Sequence, residues 1–411
     1  MQAIRFSGLR YLALFLTVGP APLAGSALAQ EFSVTPSERV TRFVNVRAEP
    51  SAESERLARL SRGERLPLVE SVPRWYEVRL EGVGSGFVSK AWTAVVPSLP
   101  SHHEELRLHI LSVGAGTCTV IECPGVDAPP MIVDCGSSGG GEMALERESA
   151  REKVQEILAR HTAAPNLVLS HGDVDHYNWI PTVLSGVTPQ NIWQGGDPVT
   201  YGSGGFPNWL RDREVRGVRV HRDFPAHWHN DGKPLGEDLS CGLASTFVLT
   251  VNSGGSKNTD SLVLMIEYED FTAIFPGDAV GITEEFAAAN FHGAVKASVL
   301  SASHHGAETH RSNSAEWADA TAPDLIIYSS GTRHGHPRCS VTMRYRSSIV
   351  ATPGHETHCN TTDAFEQRQV TTTELAEYVT DIAGSVVITS LGRSPMMLTC
   401  DLPACAAEIP H

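Results

Sequence analysis

The chain has 411 residues, enough for a leader, one small domain and one large one. Its composition, 41% hydrophobic and 19% charged, is that of a globular protein and excludes a disordered or collagen-like chain. A formal charge of −15 argues against a non-specific coat on nucleic acid, although bound divalent cations can reverse the local sign and admit an anionic substrate.

Residues 1–29 read as a secretory signal peptide. Arg5 and Arg10 give a positive start, Tyr11 to Val18 a short apolar core, and Ala27-Leu28-Ala29 a small-x-small cleavage site. The apolar run is well short of the ~20 residues that a membrane span needs. The expectation is therefore export with cleavage near Ala29, a secreted or periplasmic location, and no span after the leader is removed. Eight cysteines, an even number, suit an oxidising compartment. Cys339 with Cys359 and Cys400 with Cys405 are close enough in sequence to bridge, though the pairing stays open. None has paired C-x-x-C spacing, so they read as structural rather than metal-ligating.

Residues 38–97 alternate short apolar strands with turn residues, as a small all-β barrel does. Residues 98–105 read as a linker, punctuated by Pro97 and Pro100, with His102 and His103 as a solvated pair. From 106 to 398 strands interleave with helices. Leu106 to Val113, Pro130 to Asp134 and Asn166 to Ser170 predict strands, and Glu142 to Arg160 predicts a helix with Leu145, Val154, Ile157 and Leu158 on one face. A helix is expected around Trp179 to Leu184. Further strands fit Ser261 to Tyr268, Thr272 to Phe275, Ala297 to Ser301 and Leu325 to Ser329. The stretch from Gly195 to Pro234 lacks a period and reads as an insertion or lid; residues 399–411 read as a tail. Sheets flanked by helices over this length suit an α/β (α+β) fold, a four-layer αββα sandwich.

The chemistry concentrates in loops that follow strands. Ser170-His171-Gly172-Asp173-Val174-Asp175-His176 packs two imidazoles and two carboxylates into six residues behind a buried strand. Buried charges are costly unless paired or metal-bound, and a dinuclear metal site is a reason to keep them together. Phe275-Pro276-Gly277-Asp278, Ala302-Ser303-His304-His305-Gly306 and Gly335-His336-Pro337 then arrive in order, each after a strand. Strand ends on one sheet edge would bring these loops together.

Two resemblances rest on these residues. The Asn45-Val46-Arg47 start, Trp75-Tyr76-Glu77-Val78 and Gly86-Phe87-Val88 resemble the bacterial SH3-like domain, which implies either docking on cell-wall material or a packing module without a ligand. The H-x-D-x-D-H loop, P-G-D, H-H-G and G-H-P resemble the metallo-β-lactamase-fold domain of ComEC-type competence proteins, over about Leu106 to Leu391. That resemblance implies two divalent metal ions, zinc or manganese. His171 and Asp173 would bind the first, Asp175 and His176 the second, with Asp278 bridging and His305 as the last ligand. His304 would be an outer or substrate residue, exchangeable with His305. Asn258 and Ser261 sit where many members have a further histidine, and Asp134 matches an aspartate that is usually structural.

The chain departs from competence proteins in Ser112-Val113-Gly114-Ala115-Gly116-Thr117, which lacks two carboxylates, and in Tyr177-Asn178, where glycines commonly stand. It lacks the membrane channel, so DNA import is not implied. Asp173 replaces a histidine of the β-lactamases, which makes the site harder and favours manganese or another oxygen-loving ion, with zinc still admissible. The implied chemistry is hydrolysis by a metal-bound hydroxide oriented by Asp175, with His336 donating a proton to the leaving oxygen or contacting its phosphate. The first functional reading is a phosphodiesterase or nuclease acting on nucleic acid or a nucleotide. The alternatives are a hydrolase of lactones, thioesters or small esters on the same metals, and a non-catalytic envelope-binding protein acting through the SH3-like module.

Overall fold

A computed structural model describes residues 32–411 apart from residues 38, 63–64, 81–83, 98–103, 140–142, 204, 292–294, 363–366 and 402–404. The expected leader, His102 and His103 lie outside the described residues. The chain divides into two compact units, Met1–Leu99 and Pro100–His411.

Among its described residues the first unit is all β. Its seven strands run in the order Arg56–Ser61, Phe43–Arg47, Gly84–Ser89, Trp75–Leu80, Leu66–Val72, Phe32–Pro36 and Thr93–Pro97. Period-2 alternation turns Val44, Val46, Val78, Leu80 and Val88 into one small core. Gly86 is required there: a Cβ would lie 2.7 Å from Val46 Cγ1. The barrel begins earlier than position 38, because Phe32–Pro36 pairs along the whole of Thr93–Pro97.

The second unit stacks two sheets. A nine-stranded sheet and a six-stranded sheet share one core, in which Leu108, Ile121, Met131 and Val133 of the first join Leu264, Ile266, Ile274 and Ile326 of the second. On the outer face of the first sheet, Ile132, Leu167 and Leu169 pack beneath helices Met143–Leu158 and Phe206–Val215. Helices Gly281–Asn290, Ala315–Thr321 and Cys339–Tyr345 pack on the second sheet through Ala287, Trp317 and Tyr345. This is the four-layer αββα sandwich. Strands buried on both faces explain the continuous apolar runs Met131–Val133, Leu167–Leu169 and Leu325–Tyr328.

Strand direction, more than layer count, decides where the polar loops emerge. In the first sheet Met131–Cys135, Asn166–Leu169, Asn191–Gln194 and Arg219–His221 are parallel. In the second, Phe271–Phe275, Val299–Ser301, Leu325–Tyr328 and Glu377–Val379 are parallel. Within each sheet, the carboxyl ends of those strands therefore share an edge.

Three expectations need correction. The stretch Gly195 to Pro234 is partly framework, since it contains helix Phe206–Val215 and the sheet strand Arg219–His221. Residues 399–411 are not a free tail: Ala407–Ile409 pairs with Met396–Cys400 as the last strand of the nine-stranded sheet. Leu145 is 72% exposed and off the buried helix face, where Ala150 stands instead. All eight cysteines are paired, as Cys118–Cys135, Cys123–Cys241, Cys339–Cys359 and Cys400–Cys405.

At the end of strand Cys118–Glu122, Glu122 ties helix Met143–Leu158 to the sheet. Its buried carboxylate accepts from His109 Nε2 (2.7 Å), His161 Nε2 (3.1 Å) and Arg160 Nη1 (3.3 Å). Burial opposes its charge, but the two histidine hydrogen bonds and the nearby cations outweigh it, so its pKa lies below the ordinary carboxylate range. A depressed pKa contributes stability above that range and loses it as pH falls. Glu122→Gln is expected to cost about 2 kcal/mol at pH 7 and progressively less below pH ~4. Denaturation midpoints at pH 7 and pH 3 check this, and an equal gap at both would refute it.

Candidate metal centre

The histidine-aspartate loop leaves strand Asn166–Leu169 through Ser170 and closes into the short helix Val174–Tyr177. Gly172 permits the tight path, since a Cβ there would lie 1.7 Å from Thr200 Oγ1. Asp278 follows strand Phe271–Phe275 by way of Gly277, at φ +57, where a Cβ would meet Ser170 Cβ at 2.5 Å. The two loops are thus pressed together across the two sheets.

His304 and His305 follow strand Val299–Ser301 in a turn with φ of 49° and 56°, the left-handed region that side chains disfavour. Asn313, wholly buried, holds that turn. Its Nδ2 donates to Ser303 O and Ala307 O, both at 2.8 Å, and its Oδ1 accepts from Tyr345 Oη (3.1 Å). Its own backbone N–H donates to the buried Glu284 carboxylate (2.7 Å).

The hydrogen bonds fix the ring nitrogens of three histidines. Ser170 Oγ donates to Asp134 Oδ2 (2.6 Å), which leaves Oγ to accept from His171 Nδ1 (3.0 Å). His176 Nδ1 donates to Asp134 Oδ2 (2.8 Å), and His305 Nδ1 to Ser329 O (2.7 Å). In each ring Nδ1 is spent and Nε2 is turned inward. His171, His176, Asp278 and His305 are 0, 1, 3 and 8% exposed. Their inward atoms, the three Nε2 and Asp278 Oδ1, are buried without a hydrogen-bond partner. His176 Nε2 does lie 3.0 Å from Asp278 Oδ1, but not in hydrogen-bond geometry.

These atoms form two overlapping groups that can hold a metal ion: His171, His176 and Asp278, and Asp175, His176 and His305. Asp278 Oδ2 is 3.7 Å from His171 Nε2, and Asp278 Oδ1 is 3.5 Å from His305 Nε2, so this carboxylate faces both. Burial disfavours charge on His176, yet Asp278 and Asp134 outweigh it and lift its pKa well above the imidazole range. Burial likewise opposes the Asp278 carboxylate, while His176, His304 and His305 hold its pKa well below the usual. Carboxylates that draw a proton onto a buried imidazole would draw a cation equally well.

Other residues singled out in the sequence stand around this core. Asp173 is outside both groups; its Oδ2 is 3.5 Å from His171 Nε2, and its Oδ1 accepts from Lys257 Nζ (2.8 Å). His304 Nε2 is 3.6 Å from Asp278 Oδ2 and 3.5 Å from Asn258 Nδ2. Ser261 is wholly buried against Gly277, and its Oγ has no partner. Burial and the neighbouring imidazoles of His305, His304 and His334 push His336 down to about 3. Asp134 does more than brace a strand, because it sets the His176 tautomer and also accepts from Ser170 N (2.7 Å).

The sequence reading missed Lys257, Asn313 and Ser170. Lys257 had one visible signal, a cation next to Asn258 in a Gly-Ser loop. Asn313 had none, since its role depends on the backbone it bridges.

The cluster therefore sits where the parallel strands of both sheets of the four-layer sandwich end. Residues 42–94 match the family described as bacterial SH3 domain. No curated protein matches the chain. Among solved structures it is similar to a variant of the CmlA β-hydroxylase, with 14% identity over 62% of this chain and 50% of that one and a TM-score of 0.34. It is similar also to CmlA, a diiron β-hydroxylase from Streptomyces venezuelae, with 14% identity over 61% and 48% of the two chains and a TM-score of 0.33. The chain spans about half the length of each.

Asn313→Ala removes both amide straps and strands two buried carbonyls. It is expected to lower stability by about 2–3 kcal/mol. A denaturant midpoint equal to wild type would deny it the strapping role.

Proposed function

We propose that this chain is an exported metal-dependent hydrolase that cleaves phosphodiesters in nucleic acid or nucleotides. One observation carries the reading: three buried imidazoles, each with Nδ1 already committed, aim Nε2 at a carboxylate and at nothing else. Unsatisfied polar atoms are expensive to bury, and a shared cation is the group that would satisfy all of them.

His171, His176 and Asp278 would hold one cation, and Asp175, His176 and His305 a second, with Asp173 standing beside the first on its Lys257 tie. Imidazole nitrogens mixed with carboxylates suit zinc or manganese. When bound, such cations supply Lewis acidity and make a water acidic enough to attack near neutral pH. Asp175, less buried than its neighbours, orients the attacking water. His336, held neutral by burial, offers an N–H to a phosphate oxygen rather than a full proton. Asp134 and Ser329 keep the rings of His176 and His305 in register.

The leader pattern and four disulfides support a location outside the reducing cytosol. Among the described residues no helix is long and apolar enough to cross a membrane. The SH3-like module would dock on cell-wall material, and the ComEC-type relationship rests on the loop motifs alone. The net charge of −15 favours short substrates over long duplexes, and it keeps a small-ester or lactone hydrolase as the second reading.

The test is metal analysis of the purified full chain, then assays with manganese or zinc on single- and double-stranded DNA, a generic phosphodiester and a lactone. Asp175→Ala is expected to lower phosphodiester turnover by 100-fold or more, on the order of 3 kcal/mol of barrier. Hydrolysis that survives chelation would refute the proposal, and activity on the lactone alone would select the second reading.

A further inference from the structure

The loop between strand Leu325–Tyr328 and helix Cys339–Tyr345 carries Arg333 and His334, which the reaction above does not use, beside His336, which it does. Arg333 is exposed and lies across Gly139, where a Cβ would come within 2.4 Å of its Cδ. Among the described residues this guanidinium has no hydrogen bond and no carboxylate partner. Lys257 and Arg344, by contrast, are committed to Asp173 and Glu308.

The two histidines after it continue toward the metal centre. The rings of His334 and His336 stack at 5.9 Å with an interplanar angle of 23°, and His336 lies 6.1 Å from His304. His304 in turn reaches Asp278. The line of rings thus runs from Asp278 outward to His334, the residue after Arg333. His336 Nδ1 is buried and has no hydrogen-bond partner.

The loop backbone is fixed in advance. Ser330 N donates to Thr380 Oγ1 (3.1 Å), and His336 O accepts from Ser330 Oγ and Asn360 Nδ2, both at 3.3 Å. Arg338 N donates to Gly306 O (2.9 Å), which ties the loop to the histidine turn. A Cβ on Gly331 would meet the Gly114 carbonyl carbon at 2.4 Å, so the loop is also pressed against the neighbouring sheet's first loop. A backbone fixed in this way leaves only the side chains to be ordered when a charged group binds.

We infer that Arg333, His334 and His336 form an anion subsite that takes a phosphate group next to the scissile bond. Arg333 supplies the permanent charge and a fork that matches a phosphate's paired oxygens, and the imidazoles supply N–H donors. The subsite takes its place beside the reaction from the metal-hydrolase reading, but its ligand chemistry stands apart from it. It selects phosphate-bearing substrates over neutral esters and lactones.

Isothermal titration of inorganic phosphate into the full chain, after chelator treatment, reads the subsite without any turnover. Arg333→Gln is expected to weaken phosphate about tenfold and Arg333→Lys less, while acetate binds wild type more weakly than phosphate does. In the metal-loaded chain, Arg333→Gln should lower the ratio of kcat/KM for a phosphodiester to that for a neutral ester about tenfold, through KM. Unchanged phosphate affinity in Arg333→Gln, or acetate binding as tightly as phosphate, would overturn the assignment. A chain that binds no metal would sink the hydrolase reading and still leave the phosphate titration to decide the subsite.

Discussion

Parallel strands deliver their carboxyl ends to one side, and the candidate centre depends on that directional constraint applied twice. Each sheet of the sandwich has its own parallel set, and the loops leaving those sets carry the imidazoles and carboxylates. Gly277 packed on Ser170 is one point at which loops of the two sets touch. Without that approach Asp278 would face one histidine group instead of two. The energetic tension is local as well: buried rings and carboxylates are tolerable only because each Nδ1 has an acceptor and the remaining atoms face one another.

Much of this was legible in the order of residues. Short apolar runs followed by polar loops gave away both the layered α/β architecture and the loops that would meet, because buried parallel strands cannot alternate. The four motifs were visible as residue types too costly to bury without a purpose. What the sequence could not disclose was the outer layer of contacts. Asn313 looks like any loop asparagine until the backbone of the His304-His305 turn bends around it. Asp134 could be matched to a structural aspartate, but its choice of the His176 tautomer is a fact of geometry. The misread region near Gly195 fails for another reason, since its strand Arg219–His221 has only three residues and too few side chains to show a period.

The two units answer different needs. The barrel reaches its small core by alternation alone, whereas the sandwich spreads one core through both sheets and pins the chain with disulfides. Cys118–Cys135 joins the neighbouring strands immediately beside Asp134, so the residue that orients His176 sits on a covalently clamped strand pair. Rigidity there is what a metal-binding geometry would demand of its outer layer.

The Cys123–Cys241 bridge has a different reach, because it spans 118 positions of the chain and encloses the exposed stretch around Gly232. A protease that nicked that stretch would not release a fragment. The halves would stay joined through sulfur, migrating as one species until a reductant parted them, and the sheet core would remain assembled meanwhile. Such a link turns a cut that severs the backbone into a scar.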